Sequence, residues 1–179
     1  MRGTSSTRKR SSLPRGIQLR QAGASDAIEL AALHTATAAD LTSRYGRGHW
    51  STLTTERGVL AGMRHSYVVI AVHEGRIIGT LRLTTKKPWA IDRTMITPVK
   101  RPLFLVGMAV TPELQRRGIG RLMLEHAVKI AKEWPADSIV LDAFDADAGA
   151  GDFYARCGYR EIGRKEYKGD PLRYYELLL

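Results

Sequence analysis

The residues best suited to chemistry lie in one central segment, residues 108–121. An apolar run ends there, Pro112 forces a turn, and Gln115-Arg-Arg-Gly-Ile-Gly leads into a helical pattern. The first turn of a helix has unpaired backbone N–H groups and the positive end of the helix dipole, so it attracts anions. Gly118 and Gly120 would let a ligand approach the backbone closely. Three arginines add positive charge at the same place: Arg116, Arg117 and Arg121. The segment therefore predicts a phosphate or pyrophosphate site.

Two common phosphate-binding patterns do not account for this segment. The lysine of a P-loop is missing, and Gly-Ile-Gly lacks the third glycine of a dinucleotide-binding fingerprint. From the residues alone, an ordinary strand-to-helix turn with solvated arginines remains an alternative of equal weight.

The surrounding sequence predicts strands and helices that would position this segment. Two β-branched runs flank the turn Glu74-Gly75 and indicate a hairpin. The nearly continuous apolar run at 103–110 is typical of a central strand covered on both faces. From Gly118 apolar residues recur at helical spacing for four turns. Ser25 is predicted to cap the first helix and Gly158 to follow the last. The predicted order is strand 17–21, helices 25–44 and 54–63, strands 67–73, 77–83 and 103–110, helix 119–134, strand 138–144, helix 152–156, and strands 160–164 and 172–179. Residues 85–102 are predicted to be a loop or an irregular strand extension.

Two motifs resemble those of one enzyme family. Gln115-Arg-Arg-Gly-Ile-Gly resembles the Gln/Arg-x-x-Gly-x-Gly/Ala signature of the GCN5-related N-acetyltransferases (GNAT), and Asp152-Phe-Tyr-Ala-Arg-Cys-Gly-Tyr looks like the family's Phe-Tyr-x-x-x-Gly-Phe. The element order also matches, over residues 17–179. The resemblance implies an α/β fold with a mixed, mostly antiparallel central sheet of about seven strands and helices on both faces. It implies transfer of acetyl from acetyl-coenzyme A to a primary amine of a small molecule, protein or peptide.

The resemblance also implies how acetyl-coenzyme A, the co-substrate, would be held. In this family the loop and helix start cradle the pyrophosphate, and the preceding strand pairs with the pantetheine arm. The thioester lies where that strand and the next, residues 139–144, splay apart. Asp147 stands where many relatives carry an asparagine. The coenzyme-binding residues are thus expected to be Met108, Ala109, Val110, Gln115, Arg116, Arg117, Gly118, Ile119, Gly120, Arg121, Asp147 and Tyr154.

Two residues are candidates for proton transfer. Tyr154 aligns with a family tyrosine near the coenzyme A sulfur, where a phenol with a pKa near ~10 could protonate the leaving thiolate; otherwise it is a core tyrosine. Asp142 stands where enzymes that acetylate protein N-termini carry a glutamate base, and could act directly or through one water. Period-two alternation puts Asp142 and Phe144 on one face, and apolar surroundings would raise the pKa of Asp142. If Asp142 faces away, Asp92 or a chain of waters must serve.

The acceptor pocket is implied to form from residues 34–50 and 85–95. The substrate-binding candidates there are His49, Trp50, Trp89 and Asp92, although each aromatic could simply be packing. Asp142, Asp145 and Asp147 would together favour a cationic substrate, or else are polar acids of a loop that caps the next helix. No cluster has metal-ligand spacing, so no metal is predicted.

A second class of function stays open, namely a non-catalytic regulatory module that binds acyl-coenzyme A on the same fold. The intact loop at 115–120 and Tyr154 favour the enzyme. The short side chain of Asp142 favours the module. The acceptor's identity and a homodimeric state are not decided by the sequence.

Composition is that of an ordinary soluble protein. The 179 residues are 44% hydrophobic and 26% charged, and no apolar run approaches the ~18 residues of a membrane helix. Five of the ten excess positive charges lie in a leader over residues 1–16 that is predicted to be disordered. Nucleic acid is not favoured as a partner, because aromatics and a folded binding motif are missing from this leader. Cys157, the single cysteine, fits a reducing cytoplasm and is interpreted as a buried small hydrophobe. Residues 17–179 are predicted to form one acetyltransferase-like domain.

Overall fold

A seven-stranded sheet forms the centre of the molecule in the computed structural model, which describes residues 12–179. The strands lie in the order β1-β2-β3-β4-β5-β7-β6, and every neighbouring pair is antiparallel except β4 and β5. This confirms the predicted mixed, mostly antiparallel sheet. The strands are β1 Gln18–Gln21, β2 Tyr67–His73, β3 Arg76–Thr84, β4 Pro102–Val110, β5 Ser138–Phe144, β6 Arg160–Tyr167 and β7 Asp170–Leu178.

Four α-helices cover the sheet: α1 Ala27–Tyr45, α2 Glu56–Met63, α3 Ile119–Glu133 and α4 Gly151–Arg156. The Thr55 hydroxyl caps α2 by accepting from the Gly58 amide. Gly158 follows α4 at φ 92°, as predicted for a residue after a helix C-terminus. The expectation for α1 was wrong. Ser25 lies inside a 3₁₀ turn, Ala24–Asp26, and α1 begins only at Ala27, because the Asp26 carboxylate accepts from the Gly23 amide and pairs with Arg20.

Alternating residues of the strands divide the core between two faces of the sheet. On one face α3 and α4 pack against residues such as Val69, Leu81 and Leu141. On the other, α1 and α2 pack against Val68 and Ile70. Helices therefore lie on both faces, as predicted. On α3 the buried set differs in detail from the predicted face: Leu124 is buried, whereas Leu122 and His126 are half-buried and Trp134 is 39% exposed.

The segment 85–101 covers the rest of the second face without forming a strand or helix. Its Ile91 is buried among Phe104, Val140 and Tyr174. The Tyr174 hydroxyl donates to the Ala90 carbonyl at 2.7 Å, which ties the segment to β7. The predicted irregular loop is thus confirmed, and it contributes to the core.

The sheet separates between β4 and β5. The two strands pair only through Pro102↔Ser138, Leu103↔Ile139 and Phe104↔Val140. Beyond these pairs β5 stays with β7 as far as Phe144↔Leu172, while β4 stays with β3. A β-bulge inserts one extra residue into β4 between Val106 and Ala109 and bends the strand. A gap therefore opens in the middle of the sheet, at the carboxyl end of β4.

None of the helices over residues 12–179 is both long enough and apolar enough to cross a membrane.

Candidate active site

The gap between β4 and β5 is a cleft of about 360 Å³. One wall is β4 from Leu105 to Met108, and the other is β5 from Asp142 to Phe144. Tyr154 of α4 and the loop residues 148–150 close one end. Because β4 and β5 no longer pair at this point, the cleft passes between them from one face of the sheet to the other. Residues of both faces therefore line it.

The β4 wall offers an unpaired strand edge. On its other side β4 is paired with β3 up to Val110, but toward β5 the pairing ends at Phe104. Residues 105–110 therefore present backbone donors and acceptors to the cleft. An extended ligand can add to such an edge as an extra strand. Of the expected coenzyme residues, Met108 lines the cleft and Ala109 and Val110 continue this edge.

The loop before α3 is shaped to receive an anion. Gln115 Nε2 donates to the Val110 carbonyl at 3.1 Å and holds the loop to the end of β4. Arg116 (φ 59°) and Gly118 (φ 88°) are left-handed, whereas Arg117 between them is not. Alternation of left- and right-handed residues makes successive backbone N–H groups converge into an anion-binding concavity. Ile119 and Gly120 then supply the unpaired amides of the first turn of α3.

The three arginines of this segment differ in their surroundings. Arg116 is exposed and Arg117 half-buried, and neither pairs with a carboxylate among residues 12–179. Arg121 donates to the Arg156 carbonyl at 2.8 Å, so it joins α3 to the end of α4. Leu13 comes close as well: its Cδ1 lies 3.6 Å from the position that a Cβ on Gly118 would take. The part of the predicted leader within the described residues, 12–16, therefore borders this loop.

Gly120 occupies a tightly packed position. A Cβ there would lie 3.0 Å from Phe153 Cζ and 3.3 Å from Met108 Cε. The absence of a side chain thus lets α3 approach α4 and β4. The sequence predicted that Gly120 lets a ligand approach the backbone. The structure shows that it also lets α4 and β4 approach α3.

Tyr154 is buried at the end of the cleft, with its hydroxyl directed at sulfur. The hydroxyl donates to Met108 Sδ at 3.7 Å. Burial raises the pKa of Tyr154 well above that of a free phenol, and the nearby Asp142 carboxylate raises it further. The proton therefore stays on the phenol at neutral pH. The ring packs among Phe153, Tyr159 and Tyr175.

Asp142 faces the cleft from the β5 wall. Its carboxylate forms no ion pair or side-chain hydrogen bond within the described part of the chain. Burial raises its pKa, with small opposing effects from its own backbone N–H and from His49. Apolar neighbours, the raised pKa and access to the cleft agree with the expectation for a base.

His49 and Trp50 lie at the mouth of the cleft. Their rings pack on Phe144, with centroid distances of 5.2 Å and 5.5 Å. His49 Nδ1 also lies 2.9 Å from an oxygen of Asp170. Two of the four acceptor candidates thus pack on Phe144, a residue of the cleft lining.

The other two acceptor candidates lie outside the cleft lining. Trp89 is 85% exposed on the segment 85–101. Asp92 pairs with Lys165 at 2.6 Å and accepts from Thr94, and these contacts hold its pKa well below that of a free aspartate. Asp92 therefore serves as a turn and ion-pair residue in this structure.

The two acids of the loop after β5 lie outside the cleft lining. Asp145 pairs with both Arg173 and Arg164, which lower its pKa. Asp147 lines a separate polar pocket together with Asp152 and Arg173. Asp142 is thus the carboxylate of this group that reaches the cleft.

Sequence reasoning missed Gly107, at the centre of the site. It occupies the bulge of β4 with φ 61°, a conformation that favours glycine. A glycine within a continuous apolar strand pattern is a known signal for a bulge. That signal was present in Leu103-Phe-Leu-Val-Gly-Met-Ala-Val.

Cys157 lies at the edge of the core. The thiol is half-buried against the core on the α3 side, and burial raises its pKa. Within residues 12–179 no group of three His, Cys, Asp or Glu side chains is arranged to hold a metal ion.

Comparison with known proteins identifies the family. The family model described as "Acetyltransferase (GNAT) family" matches residues 31–159, which include the cleft, the loop before α3 and α4. The chain therefore belongs to the GNAT family of acetyltransferases. No curated protein sequence matches it significantly.

Several solved structures share the fold at low sequence identity. A GCN5-related N-acetyltransferase from Rhodopseudomonas palustris superposes with a TM-score of 0.70 at 20% identity, covering 94% of this chain and 98% of that one. The PaiA N-acetyltransferase of Thermoplasma acidophilum, in complex with coenzyme A, gives 0.68 at 13% identity, covering 90% and 99%. A ribosomal-protein-alanine N-acetyltransferase from Brucella melitensis gives 0.67 at 18% identity, with the same coverages of 90% and 99%. These likenesses establish the fold.

Proposed function

We propose that this protein transfers the acetyl group of acetyl-coenzyme A to a primary amine of a small molecule or peptide. One observation carries the proposal: the sheet opens directly after Phe104↔Val140, and Tyr154 and Asp142 both line that opening. A base for the acceptor amine and a hydroxyl that can donate to the leaving thiolate are the two proton-handling groups that assist this reaction.

The coenzyme would lie along β4. Its pyrophosphate would bind the concavity at 116–118 and the first amides of α3, and its pantetheine arm would add to the free edge at 105–110. The structure of the Thermoplasma acidophilum protein, which has the same fold and was solved in complex with coenzyme A, supports the choice of coenzyme. The thioester would then reach the bulge at Gly107, opposite Asp142.

The attacking amine must first lose a proton. A primary amine with a pKa near ~10.4 arrives mostly as an ammonium ion, which has no lone pair for attack. Asp142 would attract this cation and accept its proton, directly or through one water. Its raised pKa makes it a better base near neutrality than an exposed aspartate.

Loss of the thiolate would then be assisted by Tyr154. Because the pKa of Tyr154 is raised, its hydroxyl is better suited to donate a hydrogen bond to the developing thiolate than to transfer its proton completely. Because the Asp142 carboxylate is one cause of that raised pKa, protonation of Asp142 by the amine would lower the pKa of Tyr154. Tyr154 would thus become a better donor at the moment when the carbon–sulfur bond breaks. The amine nitrogen bonds to the carbonyl carbon as the carbon–sulfur bond breaks. The ammonium proton passes to Asp142, and the second proton that the nitrogen loses as the amide forms passes through the Tyr154 hydroxyl or water to the thiolate, so that coenzyme A leaves as the thiol.

Two measurements test this function. Calorimetric titration with acetyl-coenzyme A is expected to show binding, and an amine panel is expected to release free thiol together with an equal amount of acetylated amine. Binding without thiol release across the panel would identify the non-catalytic acyl-coenzyme A module instead. No binding would reject both functions.

A further inference from the structure

A second cavity lies beside the cleft, between α1, α2 and the sheet. It measures about 250 Å³ and is lined by His34, Thr54, Thr80 and Arg82, among others. Gly107 lines both this cavity and the cleft. At ~30 Å³ per water, the cavity has room for roughly eight water-sized groups, which suits part of a small molecule. A ligand in it could therefore extend past Gly107 to the position of the thioester.

Arg82 brings an unneutralised positive charge to this cavity. Its guanidinium has no ion pair or hydrogen bond with any residue in 12–179. It is half-buried, and burial lowers its pKa from the usual value for arginine. A buried charge without a partner is costly, so arginines in such positions normally have a counter-ion. The cavity thus contains the Arg82 guanidinium but no carboxylate of the described chain to neutralise it.

Two glycines make room for the Arg82 side chain. A Cβ on Gly62 of α2 would overlap Arg82 Nη1. A Cβ on Gly107 would lie 3.4 Å from Nε and 3.6 Å from Nη2. The guanidinium is thus held between α2 and the bulge of β4, next to the site of acetyl transfer.

His34 lines the same cavity from α1 and does not supply the missing negative charge. Burial lowers its pKa, and the positive charge of Arg82 lowers it further, so the imidazole is neutral at physiological pH. A neutral imidazole offers one donor and one acceptor. In the described chain neither is engaged by another side chain, and no carboxylate lines the cavity.

We propose that the acceptor amine carries an oxyanion, a carboxylate or a phosphate-type group, that binds Arg82 and His34. This inference rests on the proposed function and names its substrate class. The planar guanidinium can hold a carboxylate or phosphate through two parallel hydrogen bonds. The amino group of the same molecule would extend past Gly107 toward Asp142. Arg82 and Asp142 thus offer opposite charges on the two sides of Gly107, which complements a small zwitterion such as an amino acid or an aminophosphonate.

Matched amine pairs test the proposal. Each pair differs only in the oxyanion: tyrosine and tyramine, lysine and cadaverine, and 3-aminopropylphosphonate and propylamine. The wild type is expected to give a kcat/KM at least about tenfold higher for the oxyanion member of one or more pairs. The phosphonate pair separates a phosphate site from a carboxylate site. A consistent preference for the members without the oxyanion would overturn the proposal while leaving amine acetylation established.

Variants assign the effect to Arg82. Arg82→Met keeps the length of the side chain and removes its charge, so it should lose about tenfold or more in kcat/KM for the oxyanion member and less than about threefold for its partner. Arg82→Lys should recover part of the loss, because it restores the charge without the planar fork. Arg76→Met, at an exposed arginine of the same strand, is the control. Equal losses for both members of a pair would mean that Arg82 has only a structural role.

A measurement without turnover separates this inference from the proposed function. Imidazole signals can be followed by NMR, with that of His34 assigned from His34→Gln, while inorganic phosphate or acetate is added. An anion bound beside His34 should raise its pKa in the wild type and not in Arg82→Met. If no amine is acetylated but this response is present, the oxyanion site stands and the reaction assignment fails. No response, or the same response in Arg82→Met, would overturn the site.

Discussion

At the residue scale, Tyr154 and Asp142 influence each other across the cleft. The Asp142 carboxylate is one cause of the raised pKa of Tyr154. Both residues are more buried than typical titratable side chains of a protein surface, so the interaction is weakly screened. Their roles are therefore best tested separately and by changes that preserve shape.

Tyr154→Phe should reduce turnover while leaving stability nearly unchanged. The ring and its packing remain, and only a long hydrogen bond to Met108 Sδ is lost. Donation to a developing charge typically contributes roughly 10²–10⁴-fold to the rate. Steady-state kinetics with acetyl-coenzyme A would measure the effect.

Tyr159→Phe is the matched control for this variant. Tyr159 is also buried, its ring centroid lies 6.0 Å from that of Tyr154, and its hydroxyl has no hydrogen-bond partner within residues 12–179. We expect its removal to have little effect on turnover. A drop below about threefold in Tyr154→Phe would mean that Tyr154 only packs.

Asp142→Asn should slow acetyl transfer and alter its pH dependence. Loss of a general base typically costs roughly 10²–10⁴-fold, and the acidic limb of the kcat/KM–pH profile should flatten. Because the Asp142 charge raises the pKa of Tyr154 and Tyr174, its removal should also lower the pKa of both tyrosines. An acidic limb that persists at full activity would exclude Asp142.

The same variant should also change stability with a defined sign. Because the fold raises the pKa of Asp142, its carboxyl contributes most below the unfolded pKa near ~3.9, and this contribution is lost as pH rises through the folded pKa. Asp142→Asn should therefore gain stability relative to wild type between about pH 4 and neutrality.

Asp92→Asn is the control with the opposite sign. Lys165 and Thr94 lower the pKa of Asp92, so its contribution is present above the unfolded pKa and is lost as pH falls. This variant should lose stability at neutral pH. Thermal unfolding at several pH values measures both changes, and a parallel response of the two variants would contradict the assignment.

At the scale of elements, the loop before α3 combines backbone geometry with charge. A valine at Gly120 would push on Phe153 and Met108. A loss of coenzyme binding in that variant could therefore come from disturbed packing and not from blocked access of the ligand to the backbone. The arginines allow a cleaner test, because Arg116 and Arg117 have no partner in the described chain to lose.

Arg116→Gln and Arg117→Gln should each weaken acetyl-coenzyme A binding by about 1 kcal/mol, or roughly fivefold, at low salt. The loss should shrink as ionic strength rises, because these charges are partly exposed to solvent. Calorimetric titration measures both effects. Arg57→Gln, at an exposed arginine of α2, should leave the affinity unchanged. Equal effects of all three substitutions would indicate a general charge effect in place of a local site.

At the scale of the whole molecule, the sheet consists of two parts joined by a short parallel pairing. β1 to β4 form one part and β5, β7 and β6 the other, with three residue pairs between them. A ligand that adds to the free edge of β4 would contact both parts. Binding should therefore stabilise the connection between them.

Acetyl-coenzyme A should raise the unfolding temperature in a concentration-dependent way, with a stabilisation of about 2.7 kcal/mol at one hundred times its Kd. Amide exchange at residues 105–110 should slow more than in β2, because β2 is already paired on both edges. Calorimetry and hydrogen exchange measure the two effects. Equal slowing along β2 and β4 would argue against strand addition.

Much of this architecture was readable from the sequence because it depends on local chemistry. The helical spacing after Gly118 predicted α3, the β-branched runs around Glu74-Gly75 predicted the β2–β3 hairpin, and both motifs of the acetyltransferase signature lie in the family match. The left-handed conformation at Gly158 followed from the preference of glycine after a helix. Period, turn residues and motif spacing act over a few positions, so one sequence suffices to predict them.

The content of the site was decided by tertiary structure. Asp92 and Lys165 are 73 positions apart and meet only because the segment 85–101 crosses β7 toward β6. Asp145 lost its expected role because β7 brings Arg173 beside it. In the sequence Arg82 looks like an ordinary arginine of a strand. Only the structure shows that it packs against Gly62 of α2 and that it has no counter-ion within residues 12–179. Period-two patterns assign a side chain to a face but do not order the strands, and that order determines which charges are neutralised and which remain for a substrate.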